Sequence, residues 1–245
     1  MSDFVAAPSA SASGAPEMST AETLTGIFFE PSRTFESLRA RPRFLVAGII
    51  LLALACIVTA ILYTRVDMGQ YIRERLERSP NAAQVPEAQK EMQVRVGKMI
   101  GMVAIPLSVP IIIAGGAALY MLGVMAFGGA ISYGKAVSVW TYSSLPPSIL
   151  SALMAILVLF LKSPDSIDPE RMVVTNPGAL LGEESSKVLV AALSQFDLLR
   201  FYGLYLAALG LRKVAKLSST QAWGVVIALW AIAAVIRIGM AAIRG

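Results

Sequence analysis

The sequence predicts an all-α fold, a polytopic membrane bundle of about five transmembrane helices, and three observations point there. Mean hydropathy is +0.67, with 56% hydrophobic and 15% charged residues, against about 25% charged in an ordinary soluble domain. The apolar residues come in long blocks instead of at the spacing of half-buried helices or strands. The 16 acidic residues avoid those blocks: none lies between Glu91 and Asp165 and none after Asp197. A carboxylate in hydrocarbon is costly, so acid-free stretches suit membrane spans.

A span needs roughly 20 mostly apolar residues at about 1.5 Å rise each. By that rule the spans run over about 44–63, 99–127, 136–161, 198–211 and 222–243. The fourth is short and carries Arg200 near its start, with Arg212 and Lys213 placed to snorkel outwards. Four spans, with this block interfacial, is the alternative. Helices are expected because a span must satisfy its own backbone. The blocks do not alternate as barrel strands would.

Three segments divide the chain. Residues 1–18 are rich in Ala, Ser and Pro and predict a disordered tail. Residues 19–43 predict an amphipathic, interfacial segment. Ser19 and Glu22 have capping-box spacing, Leu24, Ile27 and Phe28 share a helical face, and Pro31 begins a second short helix with Phe35 and Leu38 on one side. This segment is read as lying on the membrane surface through Phe28, Phe29, Pro31, Phe35 and Leu38. Arg39, Arg41 and Arg43 (with Arg33) sit near anionic headgroups. The alternative is a connector packed on the bundle. Residues 44–245 form the transmembrane domain.

Basic residues set the orientation. Arg39, Arg41 and Arg43 precede the first span, and Arg212, Lys213 and Lys216 lie between the fourth and fifth. Both clusters face the cytoplasm if the N-terminus does. The first loop, with seven basic and five acidic residues between Thr64 and Lys98, runs against that assignment. Its alternating charges predict a solvated helix, and Glu87 to Lys98 a helix running into the second span. In the third loop, Pro164-Asp165, Asp168-Pro169 and Asn176-Pro177-Gly178 are turn signals. Glu183 to Leu193 predicts a short helix, and Asp197 an N-cap for the fourth span.

Little in the chain points to catalysis. It has no His and one Cys, Cys56, inside the first span. The commonest general base is missing, and no disulfide can form within the chain. No nucleotide loop, nucleophile elbow or zinc motif is present. No catalytic, cofactor-binding or metal-ligating residue is assigned, and an enzyme is not expected. Arg237, the charge set well inside a span, is expected to snorkel. Prolines supply a helix-bend element: Pro106 and Pro110 in the second span, Pro146 and Pro147 in the third beside Tyr142. A proline frees the carbonyl four residues earlier, and Tyr142, Ser143 and Ser144 are placed to satisfy such groups.

The stretch Phe28-Phe29-Glu30-Pro31-Ser32-Arg33-Thr34-Phe35-Glu36-Ser37-Leu38 resembles the F-x-x-P-x-x-T-F-x-x-L segment of bacterial members of the Yip family, the Ypt/Rab-interacting membrane proteins. Tyr142-Ser143-Ser144-Leu145-Pro146, Phe196-Asp197-Leu198-Leu199 and Gly210-Leu211 also look like that family. The resemblance covers roughly residues 24–245. It implies a five-span layout with a cytoplasmic N-terminus, in a bacterial inner membrane. Eukaryotic members are implied to bind small GTPases and to act in membrane trafficking and shaping. The expected role is therefore non-enzymatic: organising membrane or recruiting protein partners. The expected partners are the lipid bilayer and a membrane protein or a second copy of the chain, with no nucleic acid. The alternative is a small transporter or export-complex subunit with a cavity between the second and third spans.

Overall fold

The computed structural model describes residues 18–79, 84–182 and 185–244, and among these there is no strand. The disordered tail expected over 1–18 lies outside the described residues except for Met18, which is buried.

Two short helices come first: α1 (Thr20–Phe29) and α2 (Pro31–Ala40). The long helices α3 (Leu45–Arg65), α5 (Glu87–Ala126), α6 (Tyr133–Leu161), α8 (Leu198–Val214) and α9 (Ser219–Arg244) follow. Between them lie α4 (Met68–Glu77) and α7 (Lys187–Leu193). Among the described residues, α3, α5, α6 and α9 are long and apolar enough to cross a membrane. The bundle is therefore a polytopic helical membrane fold. Outward faces such as Leu45 and Ile49 on α3, Val103 and Leu107 on α5 and Val235 and Ile236 on α9 remain exposed, as hydrocarbon-facing side chains do.

Local sequence explains the element ends. Asp67 accepts the backbone N–H groups of Gly69 and Gln70 and starts α4. Glu87 to Lys98 continues without a break into the second span, and α5 runs for 40 residues. At about 60 Å it is twice the thickness of a hydrocarbon core, so one end stands in water. Gly128, at φ +78°, ends α5 in the left-handed region that favours glycine.

Contacts sort the ends of the bundle. At one end, the turn after α5 meets the turn before α9, where Gln221 Nε2 donates to the Phe127 carbonyl at 2.9 Å. Helices α1 and α2 lie at the same end, and Lys213 of α8 pairs with Glu36 of α2 at 2.5 Å. At the other end, Leu62, Val66, Met68, Leu159 and Ile167 form a separate apolar cluster. There Arg65 Nε donates to the Leu159 carbonyl at 3.0 Å, and Arg75 of α4 pairs with Glu170.

Helix α8 has 17 residues, fewer than the other four long helices, and its burial explains its weak apolar signal. It packs on α2, α6 and α9, so much of its surface meets protein instead of lipid. Leu206, Ala207, Ala208, Gly210, Leu211 and Val214 are all buried. Gly203 stands against Pro147, and Gly210 against Val139. This antiparallel register puts Leu198 level with Ala152, well short of the end of α6 at Leu161.

The segment before α8 packs on α9. Asp197 caps α8 as expected, accepting the Arg200 N–H at 2.9 Å and the Thr175 hydroxyl at 2.6 Å. Arg200 Nη1 donates to Gln195 Oε1 at 2.7 Å. Phe196 and Phe201 meet Trp230 of α9 at 6.2 Å each. The expected helix from Glu183 is α7, beginning at Lys187; residues 183 and 184 lie outside the described residues.

Candidate functional site

Of the residues singled out in the sequence, those of the interfacial segment and Tyr142 meet where the α1–α2 hairpin caps the bundle. Ser19 and Glu22 close a reciprocal capping box: the Ser19 N–H donates to Glu22 Oε2 at 2.6 Å, and the Glu22 N–H donates to Ser19 Oγ at 3.2 Å. These bonds to its charged form hold the Glu22 carboxyl below its ordinary value. Pro31 opens α2 at its first position, where a missing N–H costs nothing. The Thr34 hydroxyl donates back to the Glu30 carbonyl at 3.1 Å.

The hairpin closes on Gly26. A Cβ there would stand 2.6 Å from Thr34 Oγ1 and 2.7 Å from Met18 Cε, so no larger residue fits without displacement. The chain before α1 is tied down at the same point. The Met18 N–H donates to Ser37 Oγ at 3.3 Å, and Arg43 Nη1 donates to the Met18 carbonyl at 3.0 Å.

Three contacts seat the hairpin on the bundle. The hydroxyls of Thr23 and Tyr142 share a hydrogen bond of 3.0 Å, and both side chains are buried. The Phe35 ring lies against Gly210, where a Cβ would be 2.8 Å from Phe35 Cε1 and from Val139 Cγ1. Glu36 reaches Lys213. Ile27, Phe35 and Leu38 join Tyr142, Leu145 and Leu211 in one apolar core, with Leu24 and Phe28 packed against its edge.

This corrects the surface-helix expectation for two residues. Phe35 and Leu38 are 0% exposed; their shared face meets α8 and α6, and no lipid reaches it. Phe28 is half-buried, and Pro31, Arg39 and Arg43 are partly exposed. Phe29 points away from the core at 85% exposure, near Phe28 with ring centroids 6.4 Å apart. Glu30 and Arg33 form an exposed ion pair on the same hairpin, 3.1 Å apart.

The prolines of the bend element sit inside helices that stay continuous, Pro106 and Pro110 in α5 and Pro146 and Pro147 in α6. The hydroxyls expected to serve the freed carbonyls do other work. Tyr142 binds Thr23, and Ser143 Oγ donates to the Trp140 carbonyl at 3.0 Å. Ser144 turns instead to a cavity of about 540 Å³ between α3, α5 and α6, which Ser148 and Ser151 also line. A second cleft of about 370 Å³, nearer the capped end, is lined by the same three helices and includes Pro110. The two share Val109 and Ile113 as a common wall. Pro146 and Pro147 line neither.

Thr23 and Gly26 carried no signal in the sequence, and Thr34 entered only as the threonine of the family-like segment. An aromatic motif draws attention to its rings, whereas the close approach here depends on a glycine and two hydroxyls. Thr141, fully buried with its Oγ1 unpartnered beside the second cleft, carried no signal either.

Neither curated proteins nor solved structures provide a match to the chain. The family model of the Yip1 domain matches residues 25–240, from the middle of α1 to near the end of α9. The chain is thus a membrane protein that belongs to the Yip1-domain family.

Proposed function

We propose that the protein is a non-enzymatic Yip-family membrane component that recruits a protein partner through the outer face of its α1–α2 cap. The exposure of Phe29 on an otherwise anchored hairpin supports this reading most. A large aromatic at 85% exposure beside core-packed Phe28 is preorganised for contact. Preorganised aromatics are the usual anchors of protein interfaces. The Glu30–Arg33 pair beside it supplies a polar rim. The cap faces the cytoplasm, in keeping with the Arg39, Arg41 and Arg43 cluster at the first span. A bacterial inner membrane is the membrane we assign.

The test is site-specific photo-crosslinking from position 29 in the source membrane, read by mass spectrometry. A single protein crosslinked from position 29, and lost with Phe29→Asp in a pull-down, is the expected result. Lipid adducts alone from position 29 would end the recruitment reading.

The cavity of about 540 Å³ supports a second reading, a small transporter or export-complex subunit. Its volume falls within the range of small-molecule sites, and Ser144, Ser148 and Ser151 give its α6 wall a hydroxyl stripe. Solute flux into liposomes carrying the purified protein, blocked by Ser148→Leu, would favour it. Flux equal to that of empty liposomes would remove it.

A further inference from the structure

The larger cavity, of about 540 Å³, lies between α3, α5 and α6. Its α6 wall is one helical face, on which Trp140, Ser144, Ser148, Ser151 and Ala155 recur at three- and four-residue spacing. A helical serine can donate back to a carbonyl of the preceding turn, as Ser138 does to Gly134 at 2.9 Å and Ser143 to Trp140 at 3.0 Å. The hydroxyls of Ser144, Ser148 and Ser151 have no hydrogen-bond partner among the described residues.

Their depth makes this costly. Phe44, just before α3, packs against the cluster of Ala117, Ala136 and Val137. At the far end of α3, Arg65 bonds the Leu159 carbonyl at 3.0 Å. The 21 residues of α3 between these contacts span about 30 Å, the thickness of a hydrocarbon core. Ser148 lies midway between Val137 and Leu159 along α6, and Ser144 and Ser151 stand within about 6 Å of it along the axis. Three hydroxyls therefore meet the cavity near the bilayer midplane, where an unpaired polar group is unfavourable.

Charge and shape restrict the occupant. Among the described residues that line the cavity, Glu170 alone is charged, and Arg75 pairs with it. Facing the serines are Leu51, Leu54 and Val58 of α3 and Val109, Ile112 and Ile113 of α5, which offer an ion or a sugar nothing to bond. A glycerophospholipid fits no better: its ester groups stay at the interface, about 15 Å from the midplane, and its chains would lie against the hydroxyls. Helix α5 approaches α3 closely at Gly101, against Tyr63, and again where Ile113 meets Gly48. The cavity lies between these contacts, and its α5 edge at Ile112 is 56% exposed, open to the bilayer.

We infer that the cavity holds one uncharged, lipid-soluble molecule with carbonyl acceptors on a flat head, of the prenyl-quinone class. The head lies beside Trp140, its carbonyl oxygens accept the serine hydroxyls, and its chain leaves past Ile112 into the bilayer. The inference rests on the same cavity as the transporter reading and names its ligand class. Binding at equilibrium needs no flux, and neither depends on the α1–α2 cap.

The test is native mass spectrometry of the purified full chain in detergent micelles titrated with decylubiquinone. Saturable binding of one molecule per chain is expected. Ser148→Ala should weaken it roughly 2–12-fold, as loss of one hydrogen bond does. Its unfolding temperature should not fall, because alanine is the better helix former. Ser148→Leu should abolish binding by filling the cavity. Decylbenzene, with a ring and a chain but no carbonyl, should bind more weakly than decylubiquinone by at least the Ser148→Ala factor. Unsaturable uptake, undiminished binding by Ser148→Ala, or equal binding of decylbenzene would overturn the site. Flux of another solute with no quinone bound would end this inference and keep the transporter reading. Saturable quinone binding without flux would do the reverse.

Discussion

At the scale of single residues, the cap depends on close approaches that leave no slack. The Thr23–Tyr142 bond joins two buried hydroxyls. Thr23 keeps a second bond, to the Thr20 carbonyl at 2.8 Å, when Tyr142 loses its hydroxyl. Tyr142→Phe should therefore destabilise by about 0.5–1.5 kcal/mol, the usual net value of one hydrogen bond. A double-mutant cycle with Thr23→Val, followed by thermal unfolding in detergent, checks the coupling. Gly210→Ala should cost more, about 1–3 kcal/mol, because the added methyl collides with Phe35 and Val139 in a filled core. Gly115→Ala is the control, since a Cβ there meets nothing within 4 Å. Glu22 gives a pH signature. Its carboxyl is held below 4.5 by the Ser19 bonds. For an acid with a depressed folded value, the stabilisation is present above the unfolded value and is lost as pH falls through the folded one. Carboxyl NMR should place the Glu22 midpoint below 4.5, and Ser19→Ala should raise it.

At the scale of elements, the α1–α2 hairpin behaves as part of the bundle. Phe35→Ala should cost about 3–5 kcal/mol, the range for a buried aromatic, whereas Phe29→Ala should leave stability unchanged within about 0.5 kcal/mol, as at an exposed site. Unfolding midpoints of the two variants make the comparison. The hairpin also shows what was readable in advance. Its capping box, its proline start and the face shared by Phe35 and Leu38 followed from residue spacing. What that face meets did not, because an amphipathic stripe of ten residues fits a membrane surface and a protein groove equally well. The choice turns on Gly210 and Tyr142, which lie more than 100 positions away in the chain. The weak fourth block has a similar cause. Hydropathy measures contact with lipid, and α8 is covered by α2, α6 and α9 instead.

At the scale of the whole molecule, the long apolar blocks determined the fold class, because helices must satisfy their own backbone in hydrocarbon. The clefts between α3, α5 and α6 were only partly legible. Pro110 lines one of them, but α3 supplies an entire wall, and an apolar span gives no sign of which face borders a gap. The N-terminal hairpin is a fixed cap seated on α6 and α8. Hydrogen–deuterium exchange of the protein in lipid nanodiscs tests that seating most directly, since protection reports the free energy of local opening. Amides of residues 20–40 should exchange as slowly as those of α6, and Tyr142→Phe should speed exchange in α1 while leaving α9 unchanged. Fast exchange across 20–40 in the unmodified protein, or protection that disappears when detergent replaces the bilayer, would contradict a seated cap and return the segment to the membrane surface.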